Sequence, residues 1–221
     1  MKDLFLSLIS DFLADNNFPL SSTVSTGGAI TLKGLLGRRV ESAQQVLLDE
    51  IKRGDRPLEF HSADEAAAIT YRYLRAAEEG AARLNLRLLA RVIVGSVENG
   101  ALYADDFLRW ADTLAGLKRE EIIVLGVVQR QTEIFEDPFP DDGSIARFWQ
   151  SCWIALLNEH GMQSSESVAY ASSLTRTGLV APNTDSPNGG IAFYGTHLLQ
   201  ELAGMMVVEG LLERDKADQV R

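Results

Sequence analysis

SADEAAAITYRYLRAAEEGAARLNLRLLARVIVG, residues 62–95, decides the fold class. Ala66, Ile69, Tyr73, Ala77, Ala81, Leu84, Leu88 and Val92 recur at intervals of three and four, which lines them up on one face of an α-helix. Ala, Leu, Arg and Glu supply most of the remaining positions and are strong helix formers, so propensity and pattern agree. Ser62 followed by Glu65 reads as a capping box, in which a hydroxyl and a carboxylate satisfy the free amides of a helix start. A single helix over the whole stretch is long for a globular domain, and Gly80 is the expected break.

The same period extends in both directions. Upstream, Leu32, Leu35, Leu36, Val40, Ala43, Val46, Leu47 and Ile51 predict a helix over 29–53, which Gly54, Asp55 and Pro57 end. A first amphipathic helix is expected over 3–15, followed by an irregular arm through Pro19 and Gly27-Gly28. Downstream, Asp105 and Asp106 open a helix carrying Phe107, Trp110, Ala111 and Leu114, and another begins at Lys118 or Arg119. Residues 132–143 read as an acidic loop with two prolines, and a strongly apolar helix carrying Phe148, Trp149, Cys152, Trp153 and Leu156 spans 145–159.

The C-terminal stretch has a different order. A helix capped by Ser164 or Ser165 stops at Gly178, and two short β-like runs follow, Leu179-Val180-Ala181-Pro182 and Ile191-Ala192-Phe193-Tyr194. Thr196 then precedes a last helix over 197–208. Residues 172–180, SSLTRTGLV, and 189–202, GGIAFYGTHLLQEL, resemble winged-helix domains, in which a helix-turn-helix is followed by a β-hairpin wing and a further helix. The resemblance implies DNA reading by the second helix of the motif. This sequence departs from that pattern: Arg176 is the one basic residue between 164 and 177, and the wing carries Asp185 and no cation. The whole chain also resembles uncharacterised helical proteins of bacteria and prophages, which implies no activity.

The expected architecture is therefore mainly α, a multi-helix bundle with a C-terminal winged-helix-like module containing a small β-hairpin. Residues 1–116 form a helical region of long amphipathic helices, and 117–221 form the module, with its hairpin around 179–194. A hydrophobic content of 46% is enough to fill such cores and argues against a disordered chain.

Charge and residue chemistry narrow the functions. Acidic residues outnumber basic ones by 31 to 21 and no third of the chain is basic, so long-range attraction to phosphate lacks its usual source. A single cysteine, Cys152, excludes an internal disulfide, and its position beside Trp149 and Trp153 predicts a buried, inert thiol. Charges interrupt the N-terminal apolar run and every longer one, so neither a signal peptide nor a membrane span is expected, and the localisation read from the sequence is cytoplasmic.

No catalytic, cofactor-binding or metal-ligating residue is assigned. His61, His160 and His197 stand apart without a second ligand at metal spacing, and the acidic loop with Asp137, Asp141 and Asp142 lacks the glycine and terminal glutamate of a calcium loop. There is no Gly-x-Ser-x-Gly elbow and no phosphate-binding glycine loop. The candidate contact residues for protein or nucleic acid are Arg83, Arg87 and Arg91, spaced every four residues as one ridge, and Arg176. Salt pairing with acidic side chains of neighbouring helices is the competing role for that ridge. The function expected is non-enzymatic protein interaction or regulation, by self-association or with a protein partner and no specific small molecule. A winged-helix DNA-binding regulator and a hydrolase whose site assembles only in the fold are the alternatives.

Overall fold

In the computed structural model the polar backbone of the described residues is satisfied mostly within helices, beside a two-stranded ribbon and an isolated parallel bridge between Phe60 and Leu102. The described residues are Ser7, 32–54, 60–99, 102–135, 142–184 and 190–219. The helix expected over 3–15, the arm after it and most of the acidic loop lie outside them. The fold is predominantly helical with a small antiparallel hairpin toward the C-terminus. Two compact units divide the chain, Met1–Gly116 and Leu117–Arg221.

In the first unit, α1 (Leu32–Arg53) packs on α2 (Ala63–Glu79) and α3 (Arg83–Asn99), and α4 (Ala104–Leu114) covers α2 and α3. The stretch 62–95 breaks where the sequence predicts. Gly80 takes a left-handed conformation with φ of 101°, and its amide returns to Ala77 O, so the apolar stripe folds back on itself as α2 and α3. Ile69, Tyr73, Leu74 and Ala77 of α2 are buried together with Leu84, Leu88, Leu89 and Val92 of α3, Val40, Ala43 and Leu47 of α1, and Phe107, Trp110 and Leu114 of α4. Tyr73 donates its hydroxyl to Ala43 O at 2.9 Å, and Asn85 donates to Leu114 O at 2.8 Å, satisfying a carbonyl at the end of α4.

The capping box at Ser62 is only half present. Ser62 Oγ accepts from the Glu65 amide at 3.1 Å, but the Glu65 carboxylate reaches across to the Ala104 amide at the start of α4 instead of returning to Ser62. Arg72 pairs with Asp112 further along the same two helices, so α2 and α4 run side by side in the same direction. A local cap has been exchanged for a tertiary one.

In the second unit, α5 (Arg119–Ile134) lies at the centre and contacts α6 (Asp142–His160), α7 (Ser164–Leu174), α8 (His197–Ala203), α9 (Val208–Gln219) and the hairpin. Ile122, Val124, Leu125, Gly126, Val127 and Val128 are buried on successive faces, as expected of a helix wrapped on all sides. A 3-10 turn, Thr175–Thr177, and a left-handed Gly178 lead from α7 into β1 (Val180–Asn183), which pairs with β2 (Ala192–Gly195) in the register Val180 to Gly195. Phe193 of β2 sits edge-on to Trp149 of α6, with ring centroids 4.9 Å apart. The order helix, turn, helix, hairpin, helix is winged-helix-like, as the sequence predicts.

Three boundaries differ from the sequence reading. Helix α5 extends to Ile134 and α6 begins at Asp142, so regular structure runs into both ends of the predicted loop. Gln163, not a serine, stands at the start of α7, and the Glu166 carboxylate accepts its amide at 2.8 Å. The last helix is two helices, because the chain turns at Gly204–Val207, where Gln129 of α5 donates to Met206 O at 2.7 Å and accepts the Val208 amide at 2.8 Å.

Substituting Gly80→Ala puts a side chain in a left-handed position and beside the Arg39 guanidinium. The expected loss is about 1–2 kcal/mol of stability, read as a lower urea midpoint with an unchanged slope.

Candidate nucleic-acid and protein interface

The winged-helix-like face is built on α7 and the hairpin, and its electrostatics are set by Glu121 in the first turn of α5. Glu121 is completely buried, although a buried carboxylate is costly unless it is fully hydrogen-bonded. It is fully bonded here. The carboxylate accepts from the Lys118 amide at 2.8 Å, from Ser173 Oγ at 2.5 Å, and from both terminal nitrogens of Arg176, at 2.6 and 2.9 Å. Arg176 also donates to the Ser173 carbonyl. Burial alone would raise the carboxyl pKa, but the Arg176 and Ser173 hydrogen bonds, the Lys118 amide and the guanidinium charge outweigh it and hold the group at about 2.

Arg176 is thus the cation that closes an internal fork, with about half of its side chain still exposed. The rest of the face is neutral or acidic. Helix α7 contains Glu166 and no basic residue. Thr196 stands at the N-terminal end of α8 but its side chain makes no cap bond; its hydroxyl donates to Gly178 O at 2.6 Å, tying the end of the hairpin to the turn that begins it. Gly195 beside it is closely packed, since a Cβ there would come within 2.8 Å of Leu199 Cδ2 and require that side chain to shift.

The three arginines of the predicted ridge do not share one environment. Arg83 is exposed, Arg91 is half-buried, and Arg87 is buried at 1% exposure with its Nε 4.0 Å from the equally buried Glu50. A four-residue spacing should stack all three on one face, but α3 presents that face to α1, and Glu50 gives Arg87 a reason to point inward. Cys152 is fully buried and burial pushes its thiol pKa far up, in keeping with an inert role.

Sequence reasoning missed two groupings. A cleft of about 260 Å³ is lined by Gln129, Thr132, Glu133, Phe135, Leu199, Gln200 and Ala203. Its polar groups are partly spent: the Gln129 amide serves the α8–α9 turn, and the Thr132 hydroxyl donates to Val128 O at 2.8 Å. Glu133 is the one ionisable side chain among the lining residues. The second is Glu159, His160 and Glu209, whose nitrogen and oxygen atoms lie within 4.8 Å of one another and which could hold a metal ion. Their distance along the chain conceals them; the one sequence signal is the adjacent Glu159-His160 pair at a helix end.

Comparison with protein-family models, curated proteins and solved structures finds no match to this chain.

The sign of the Glu121 effect follows from its depressed pKa. Its contribution to stability is fully present above about pH 4.5 and is lost as the pH falls through about 2. Arg176→Ala, which removes charge-assisted hydrogen bonds to this buried group, should cost about 2 kcal/mol at pH 7 and flatten the acid limb of the stability profile. Denaturant midpoints measured from pH 7 to pH 2 for both proteins check this.

Proposed function

We propose that the chain is a non-enzymatic interaction or regulatory protein that works through protein contacts, including contacts with a second copy of itself. The observation that supports this most is the commitment of Arg176. In a DNA-reading winged helix this region would supply cations to phosphate, whereas here its one guanidinium neutralises a buried carboxylate. Transferring it to a phosphate would leave Glu121 with only the Ser173 and Lys118 bonds, at the same cost of about 2 kcal/mol as removing Arg176. That exceeds what a single solvated phosphate contact returns.

Apolar exposure favours protein contact. Ile154 and Leu157 stand one turn apart on the outer face of α6, exposed at 41% and 36%, and Ile191 on the hairpin side is also open. Isolated exposed hydrophobics are ordinary, but two on one helical face can join a symmetric helix pair. A cytoplasmic, bacterial or prophage setting goes with this reading. No helix among the described residues is long and apolar enough to cross a membrane.

The second reading, a DNA-binding regulator, is favoured by the order of α6, α7, hairpin and α8 alone. It requires Arg176 to leave Glu121. For the hydrolase alternative, the cleft beside Leu199 offers Thr132 next to Glu133, but the Thr132 hydroxyl is already donated to Val128 O.

Light scattering at two widely separated concentrations should give a mass above the 24.3 kDa of one chain at the higher one. Ile154→Glu combined with Leu157→Glu should restore the single-chain mass without lowering the melting temperature. A wild-type chain that stays monomeric throughout removes the self-association claim. Tight, salt-sensitive binding to duplex DNA that Arg176→Ala abolishes would replace the proposal with the second reading.

A further inference from the structure

Glu159 and His160 end α6, and Glu209 lies in the first turn of α9. Several independent contacts bring these two helix ends together on α5. Gln129 grips the backbone on both sides of Val207. Gly126 leaves room for Glu209, because a Cβ there would lie 2.9 Å from Glu209 Cγ. Arg130 then donates to both oxygens of Glu159, at 2.9 and 2.7 Å, and to Glu209 at 3.1 Å.

This arrangement leaves charge and a donor atom to spare. One guanidinium stands between two carboxylates, so the cluster keeps an excess negative charge. His160 is half-buried, and among the described residues its ring enters no hydrogen bond.

We propose that Glu159, His160 and Glu209 form a binding site for Zn²⁺, with Arg130 as the protein's own cation that the metal displaces. One imidazole nitrogen and two carboxylate oxygens make a three-ligand set with a fourth position for water. The imidazole selects a transition metal over Mg²⁺ or Ca²⁺, which take oxygen ligands almost exclusively. Zinc bonds of about 2.0–2.2 Å require the donor atoms to draw closer than their present spacing. Glu159 is exposed and at a helix end, so its side chain can make that adjustment as Arg130 withdraws. Bound metal would fasten the end of α6 to the start of α9. The site does not rest on the protein-contact reading.

Calorimetric titration of the full chain with ZnCl₂, with MgCl₂ run in parallel, tests the assignment. One zinc per chain should bind, magnesium should give no heat, and zinc should raise the melting temperature. His160→Ala and Glu209→Gln should each weaken binding by tenfold or more, and Arg130→Met should tighten it by about tenfold. His160 takes no part in the ion pairs, so His160→Ala with an unchanged circular dichroism spectrum is the deciding variant even where Arg130→Met fails to fold. The assignment is overturned by absence of zinc heat at millimolar metal, or by zinc binding that His160→Ala and Glu209→Gln leave unchanged. A folded Arg130→Met that binds no more tightly than the wild type also overturns it.

Discussion

A helix segment packed against neighbours on most sides has little water to receive its polar side chains, and the middle of α5 is in that position. Glu121, Gln129 and Gln131 are buried and Arg130 is half-buried; Glu121, Gln129 and Arg130 each tie α5 to a different partner. Glu121 holds α7 through Ser173 and Arg176, Gln129 holds the α8–α9 turn, and Arg130 holds the ends of α6 and α9. The apolar residues of α5 supply most of the burial energy, which is indifferent to direction. The polar residues decide which element sits where, because a misplaced neighbour would leave a buried donor or acceptor unpaired.

Much of the fold was legible because it rests on local rules. The period of three and four identifies the helices, a left-handed glycine ends α2, and the Pro, Asn and Gly cluster separates two β-like runs. What escaped was the part that depends on tertiary partners. Glu65 reads as a local cap, yet its carboxylate serves α4. Residues 197–208 read as one helix, since nothing in Met205-Met206-Val207 breaks the period; the turn there is held by Gln129, remote in sequence.

The candidate contact residues divide on the same line. Arg83, Arg87 and Arg91 satisfy the spacing of a ridge, and spacing says nothing about which side of the helix meets a neighbour. Arg87 faces α1 and Glu50. Glu121 stands in the first turn of α5, where an acidic residue is favoured, and it accepts the Lys118 amide there. Its two remaining partners come from beyond α6, where no local pattern reaches.

Formal charge counts side chains, but the field outside the molecule depends on where opposite charges meet. An arginine paired inside the fold contributes almost no positive potential at a distance, and its acidic partner contributes little negative potential. Arg87 is held in this way, and Arg176 and Arg130, though partly exposed, are each paired with carboxylates, so the excess of acidic residues is not relieved by a local basic surface built from them. A winged-helix order of elements is a packing solution that can exist without the cations that make it a DNA reader. In this chain the one arginine of that region is already bonded to a buried carboxylate, so its charge is opposed inside the fold.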